Sequence, residues 1–95
     1  MARDAALNSP QEQSAWDTLG WVCFKMGRTD EAIGHLLRAV KLSPGSAVMH
    51  YHLAKALVAA GRRPDGQKEL QAAISIGLPV PLLGDAQSEL IATTH

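Results

Sequence analysis

Laid over itself with a shift of 34 residues, the chain places Leu19 on Leu53, Gly27 on Gly61, Arg28 on Arg62, Leu36 on Leu70 and Ala39 on Ala73. The same shift pairs Leu42 with Ile76 and Ala15 with Met49. The matched positions are apolar, small, or a glycine suited to a turn, whereas charged positions mostly differ. Such a repeat is a packing unit. A period of this length is that of a helix–turn–helix element, which buries its apolar face only by stacking on a neighbour.

Local signals agree with that unit. Five stretches carry helix-type apolar spacing, and none shows the sustained alternation of a half-buried strand. The first runs from Pro10 to Met26. Ser9 is a good N-cap there, with Glu12 three residues on to complete a capping box and Gly27 to end the helix. The second runs from Asp30 to Leu42, with Asp30 and Glu31 in its first turn and Arg38 and Lys41 toward its end, as the helix dipole favours. Ser43-Pro44-Gly45-Ser46 breaks it. A third spans Ala47 to Ala60 and stops at Gly61. A fourth opens at Pro64 and Asp65 and continues to Ile76. Gly77 and Pro79-Val80-Pro81 end it, and a fifth covers Leu82 to Thr93, with Leu83, Ala86 and Leu90 on one face.

Charge narrows the partners. Lys+Arg and Asp+Glu number nine each in 95 residues, for a formal net charge of zero. Nucleic acid and anionic membranes reward clustered positive charge. Arg62-Arg63 with Lys68 amounts to ordinary solvated surface. No uninterrupted apolar run is long enough to span a bilayer, and none follows Met1-Ala2-Arg3-Asp4 to serve as a signal peptide. The single cysteine, Cys23, leaves the redox compartment open.

The residues resemble the tetratricopeptide repeat. Its pattern W-x2-L-G-x2-Y, then A-x3-F, then P, is met here by Trp16, Leu19, Gly20 and Cys23, then Ala32 and Leu36, then Pro44. Cys23 and Leu36 stand where the family prefers aromatics, and Ala39 supplies a second small residue. The second repeat reads His50, Leu53, Ala54 and Leu57, then Gly66, Leu70 and Ala73, with Pro79 one residue late. The resemblance covers Gln13 to Val80. It implies an all-α fold, an α-α superhelix of two helix-turn-helix repeats plus a C-terminal capping helix.

In that scheme residues 1–9 are the tail of a preceding repeat. Residues 10–46 and 47–80 are the two repeats, and 81–95 are the capping helix. Moved back by one period, Ala39 falls on Ala5, Ser43 on Ser9 and Pro44 on Pro10. The chain therefore reads as the C-terminal end of a longer array. The run Asp17 to Val22, with Lys25 and Gly27, is similar to the last repeats of some bacterial proteins linked to secretion or polysaccharide export.

The family's first helices line a concave groove that binds peptides. Carried over, its lining is Asp17, Trp21 and Lys25 (with Phe24 as an alternative) in the first repeat, and Tyr51, Lys55 and Val58 in the second. Trp21 either faces that groove or packs on the neighbouring repeat, and an exposed Trp with a nearby Tyr suits a binding hot spot. Clamping of a C-terminal carboxylate, known in some members, is disfavoured, because only Lys55 could serve it.

Chemistry-bearing residues have plainer readings. His50-Tyr51-His52 lacks the i,i+4 spacing that lets two histidines share a metal. His50 takes a packing slot and His52 is expected on the surface. Cys23 is expected in the core as an inert thiol, with no base spaced to activate it. His35 and His95 have no identifiable partner, and Asp30/Glu31 and Asp65/Glu69 read as solvated helix faces. No cofactor, metal or catalytic role is implied. The expected function is a scaffold for a protein or peptide partner. The alternative is self-association through the apolar helix surface at the N-terminal end.

Overall fold

A computed structural model describes residues 10–93, with side chains from Ser14 onward. Among the described residues it is all helical: α1 (Pro10–Lys25), α2 (Thr29–Leu42), α3 (Ala47–Ala59), α4 (Arg63–Ile76) and α5 (Val80–Thr93). Residues 1–9, the Ser9/Glu12 capping box and His95 lie outside the described residues. α1 and α2 form one hairpin and α3 and α4 a second. α2 packs on α3, α4 on α5, and α1 touches α3 across the hairpins.

The two hairpin turns are copies of each other. Gly27 and Gly61 adopt φ of 82° and 81°, a left-handed conformation that glycine enters without steric cost. Around Gly27, Arg28 N–H donates to Cys23 O at 2.8 Å and Gly27 N–H to Phe24 O at 3.1 Å. Around Gly61, Arg62 N–H donates to Leu57 O at 2.9 Å and Gly61 N–H to Val58 O at 3.0 Å. Both are Schellman motifs, which satisfy the last carbonyls of a helix and reverse the chain within a few residues. Ser46 opens α3 by accepting a bond from Met49 N–H at 3.3 Å.

α5 begins two residues before the expected Leu82. Pro79 O accepts from Leu82 and Leu83 N–H at 3.0 and 2.8 Å, so Val80 and Pro81 form the first turn. A proline there loses no hydrogen bond, and its fixed φ is already helical.

Each hairpin closes over a crossing at which one helix carries a glycine whose Cβ would have no room. A Cβ on Gly20 would lie 2.5 Å from Leu36 Cγ and 3.2 Å from Ala32 O. In the second hairpin Ala54 takes the place of Gly20, and the glycine moves to the facing helix as Gly66, the counterpart of Ala32. A Cβ on Gly66 would lie 2.6 Å from Val58 Cγ2 and 3.4 Å from Ala54 O. The pair is Gly/Ala in one repeat and Ala/Gly in the next.

Two cores follow. Cys23, Ala32, Ile33 and Leu36 of the first hairpin meet Leu53, Ala56 and Leu57 of α3. Tyr51, Ala54, Leu70 and Ala73 of the second meet Leu78 and Ala86, with Leu82, Leu83 and Leu90 of α5 packed against them. Leu36, Leu53 and Leu70 are the largest fully buried side chains, each contributing about 2 kcal/mol. Cys23 is buried, as its spacing implied.

Three readings of individual residues need correction. Leu19 matches Leu53 in sequence but is 44% exposed where Leu53 is 1%, because Leu53 is covered by the first hairpin. His35 has a partner after all: its ring stacks on Trp16 at 5.5 Å, with Arg38 over the same indole at 4.9 Å. Glu69 is no solvated carboxylate, since its Oε1 lies 2.6 Å from His50 Nδ1.

The crossing yields a test. Gly20→Ala is expected to destabilise the fold by about 1–3 kcal/mol through overpacking, although alanine is the better helix former. Leu36→Ala, which removes the side chain that the new Cβ would strike, costs stability by itself, and its combination with Gly20→Ala is expected to lose less than the sum of the two in urea unfolding. A stabilised single variant, or strictly additive effects, would contradict the shared-space account.

Candidate functional site

Asp17, Trp21 and Lys25 are spaced four residues apart on α1, and Tyr51 and Lys55 four apart on α3, so each set shares one helix face. Asp17 and Tyr51, like Trp21 and Lys55, occupy equivalent positions one period apart. The next equivalents fall on α5 as Asp85 and Glu89. These two carboxylates went unrecognised in the sequence, although carrying Tyr51 and Lys55 forward one further period lands on them.

The face is held together by contacts between successive first helices. His52 Nδ1 donates to Asp17 Oδ1 at 2.8 Å, and its ring stacks on Trp21 at 4.1 Å. Its side chain is 14% exposed, so the expectation that His52 lies on the surface is wrong. The reason is tertiary: position 52 looks back toward α1, where an acid and an indole wait for an imidazole. Trp21 is half-buried, stacks on Phe24 at 5.0 Å and carries the Lys25 ammonium 5.0 Å from its ring centre. It thus packs on the neighbouring repeat while staying partly exposed, and Lys25 remains at the surface. Val58 turns away from this face to lie against Gly66.

One period on, the buried Tyr51 hydroxyl donates to Asp85 Oδ2. Lys55 Nζ donates to the same oxygen at 3.2 Å and lies 3.9 Å from Glu89 Oε2. Burial first, then the bond to Asp85, pushes the Tyr51 hydroxyl well above the ordinary tyrosine range. The Tyr51 hydroxyl holds the Asp85 carboxyl below its ordinary range; partial burial opposes this and Lys55 reinforces it.

His50 points elsewhere, as successive helix residues must. Its Nδ1 faces Glu69 and its Nε2 lies 2.7 Å from the carbonyl oxygen of Pro44, tying α3 to α4 and to the preceding turn. The two histidines therefore serve different interfaces. The chemistry available on the shared face is non-covalent: an indole, an exposed ammonium, and carboxylates already engaged by a tyrosine, a lysine and a histidine.

The Tyr51–Asp85 bond gives a pH signature. A lowered Asp85 carboxyl stabilises the fold above the ordinary carboxylate range, and that contribution is lost as pH falls through its folded value. The raised Tyr51 hydroxyl contributes fully below the ordinary tyrosine range and loses its effect as pH rises through the folded value. Tyr51→Phe is expected to flatten the fall in melting temperature between about pH 5 and pH 2. At neutral pH it should cost about 1 kcal/mol; the half-exposed Asp85 side chain keeps the figure low. Identical acid slopes for both chains would contradict the assignment.

Among the described residues no helix is long and apolar enough to cross a membrane. No curated protein matches the chain. The tetratricopeptide repeat family model matches residues 4–79, taking in both hairpins and their turns. That family is typically a non-catalytic scaffold whose domains bind protein partners. Two stacked hairpins, twin glycine turns and a face shared by the first helices agree with the match: the chain belongs to the tetratricopeptide repeat family.

Proposed function

We propose that the protein is an interaction scaffold that holds a segment of another protein against the concave face lined by Asp17, Trp21, Lys25, Tyr51 and Lys55. The observation that carries the reading is the Trp21–Lys25 corner. There a partly exposed indole and an exposed ammonium without a carboxylate partner among the described residues sit together. Binding would bury the aromatic surface and leave charge to set orientation. Asp17, Tyr51 and Lys55 act mainly by shaping the face, since each is tied to a neighbouring first helix.

Lys25→Glu tests this without disturbing those ties. Native chain and variant, matched in helicity and melting temperature, are compared as baits in a lysate of the source organism. A protein retained by the native chain and lost from the variant is the expected result, identified by mass spectrometry. A partner set unchanged by both Lys25→Glu and Trp21→Ala would remove the groove as the binding surface.

A second reading rests on a different observation. Leu19, Val22 and Met26 form an α1 stripe exposed by 44, 48 and 62%, whereas Leu53 and Ala56, one period on, are buried by the first hairpin. The stripe could join identical chains face to face. Sedimentation across a concentration series is then expected to show dimers that Val22→Glu abolishes; a monomer at all concentrations would discard the idea.

A further inference from the structure

The face shared by the first helices continues onto α5, and its charge is unevenly spread. Asp85 and Glu89 occupy there the places of Tyr51 and Lys55. Lys55 Nζ lies 3.2 Å from Asp85 Oδ2 and 3.9 Å from Glu89 Oε2. No lysine or arginine follows Lys68 in the chain, and Tyr51 donates to Asp85 without bringing charge. Among the described residues this edge therefore sets two carboxylates against one ammonium. Both stay within reach of solvent, their side chains being 47 and 27% exposed.

The α1 edge has the opposite excess. Lys25 is exposed, lies 5.0 Å from the Trp21 ring centre and has no carboxylate partner among the described residues. Asp17 does not offset it. That carboxylate is about 12 Å back along the helix, beyond the roughly 8 Å over which physiological salt leaves exposed charges in contact. Its Oδ1 already accepts from His52 Nδ1 at 2.8 Å, and its side chain is 16% exposed. The next cation along, Arg28, is matched by Glu31 at 3.8 Å.

Packing sets the distance between the two edges. Side chains of α1 meet those of α3, and those of α3 meet α5. Two helix spacings of about 8–10 Å each are covered by about five or six residues of extended chain.

We infer that the groove takes an extended protein segment with a carboxylate at the α1 edge, beside Trp21 and Lys25, and an ammonium or guanidinium at the α5 edge, beside Asp85 and Glu89. The inference rests on the groove reading and adds the chemistry of the occupant. A segment of mixed charge cancels both local excesses, whichever way its backbone runs. A segment with like charges at its two ends meets repulsion at one edge in either direction.

The test is a titration of ¹⁵N-labelled protein with acetyl-Glu-Leu-Ser-Ala-Ser-Leu-Lys-amide, whose core reads alike from both ends. The controls carry Glu at both ends or Lys at both ends. Saturable amide shifts on α1, α3 and α5 are expected, with the mixed peptide favoured about fivefold over either control, the range of one solvent-exposed ion pair. Lys25→Glu should move the preference to the peptide with two lysines. Glu89→Gln, which keeps the side chain's shape, should erase the preference for the mixed peptide over the one with two glutamates. Matched melting curves confirm that both variants fold. Equal affinities for the three peptides, preferences unmoved by the variants, or no saturable binding would each overturn the inference. The groove reading is judged separately: a partner captured by the native chain and lost from Trp21→Ala, alongside three equal peptide affinities, would keep the groove and discard the charge assignment.

Discussion

The two helices of each hairpin approach so closely that one of them must carry a glycine where they cross. Gly20 lies against Leu36 and the Ala32 carbonyl, and Gly66 against Val58 and the Ala54 carbonyl. Everything else hangs on that approach. Only when α1 lies tightly on α2 does the hairpin offer a continuous surface of Cys23, Ile33 and Leu36 to Leu53 and Leu57. The same surface recurs one period later, with Leu70 and Ala73 presented to α5. Because interiors are packed like crystals, one surplus methyl would have to be absorbed by moving a helix. The two repeats meet this limit from opposite sides. What the fold fixes is therefore the closeness of the crossing, which Leu36 fills in one repeat and Val58 in the other, and the helix that carries the glycine differs between them.

α3 is the hub through which the hairpins communicate. Three successive side chains leave it about 100° apart and reach three different elements. His50 reaches Glu69 of α4 and the Pro44 carbonyl, Tyr51 reaches Asp85 of α5, and His52 reaches Asp17 and Trp21 of α1. The three side-chain to side-chain bonds are partly buried, so losing one partner leaves a group only partly matched by water. This gives the apolar stack a directional lock. Hydrophobic burial alone would tolerate small rotations of one hairpin on the next, whereas three bonds pointing in three directions do not.

The same lock explains the character of the face shared by α1 and α3 that is proposed as the groove. Its central side chains are joined in pairs across successive first helices, so it is a preorganised surface and not a set of free hooks. Trp21 and Lys25 stand at the end where α1 has no earlier partner among the described residues, and there the contacts remain incomplete. The opposite side of α3 has a different make-up, with a floor of Leu53 and Leu57 and a rim of two cations and two carboxylates. One helix thus separates two surfaces of unlike chemistry.

Much of this was legible in the chain itself. The repeat period, the helix ends at Gly27 and Gly61, the buried Cys23, Leu36 and Leu70, and the alignment of Asp17 with Tyr51 are all local or periodic, and period is a property of sequence. What the sequence could not decide were contacts between residues far apart in number. His52 looked exposed because its partners, Asp17 and Trp21, lie more than 30 residues away. Leu19 and Leu53 occupy the same place in the repeat, yet only one is covered, since burial depends on what stands next to a unit. Helix propensity, capping and turn chemistry act within a few residues and therefore determined the hairpins. The order and spacing of the stack decided which of their polar side chains became bonds and which remained open to a partner.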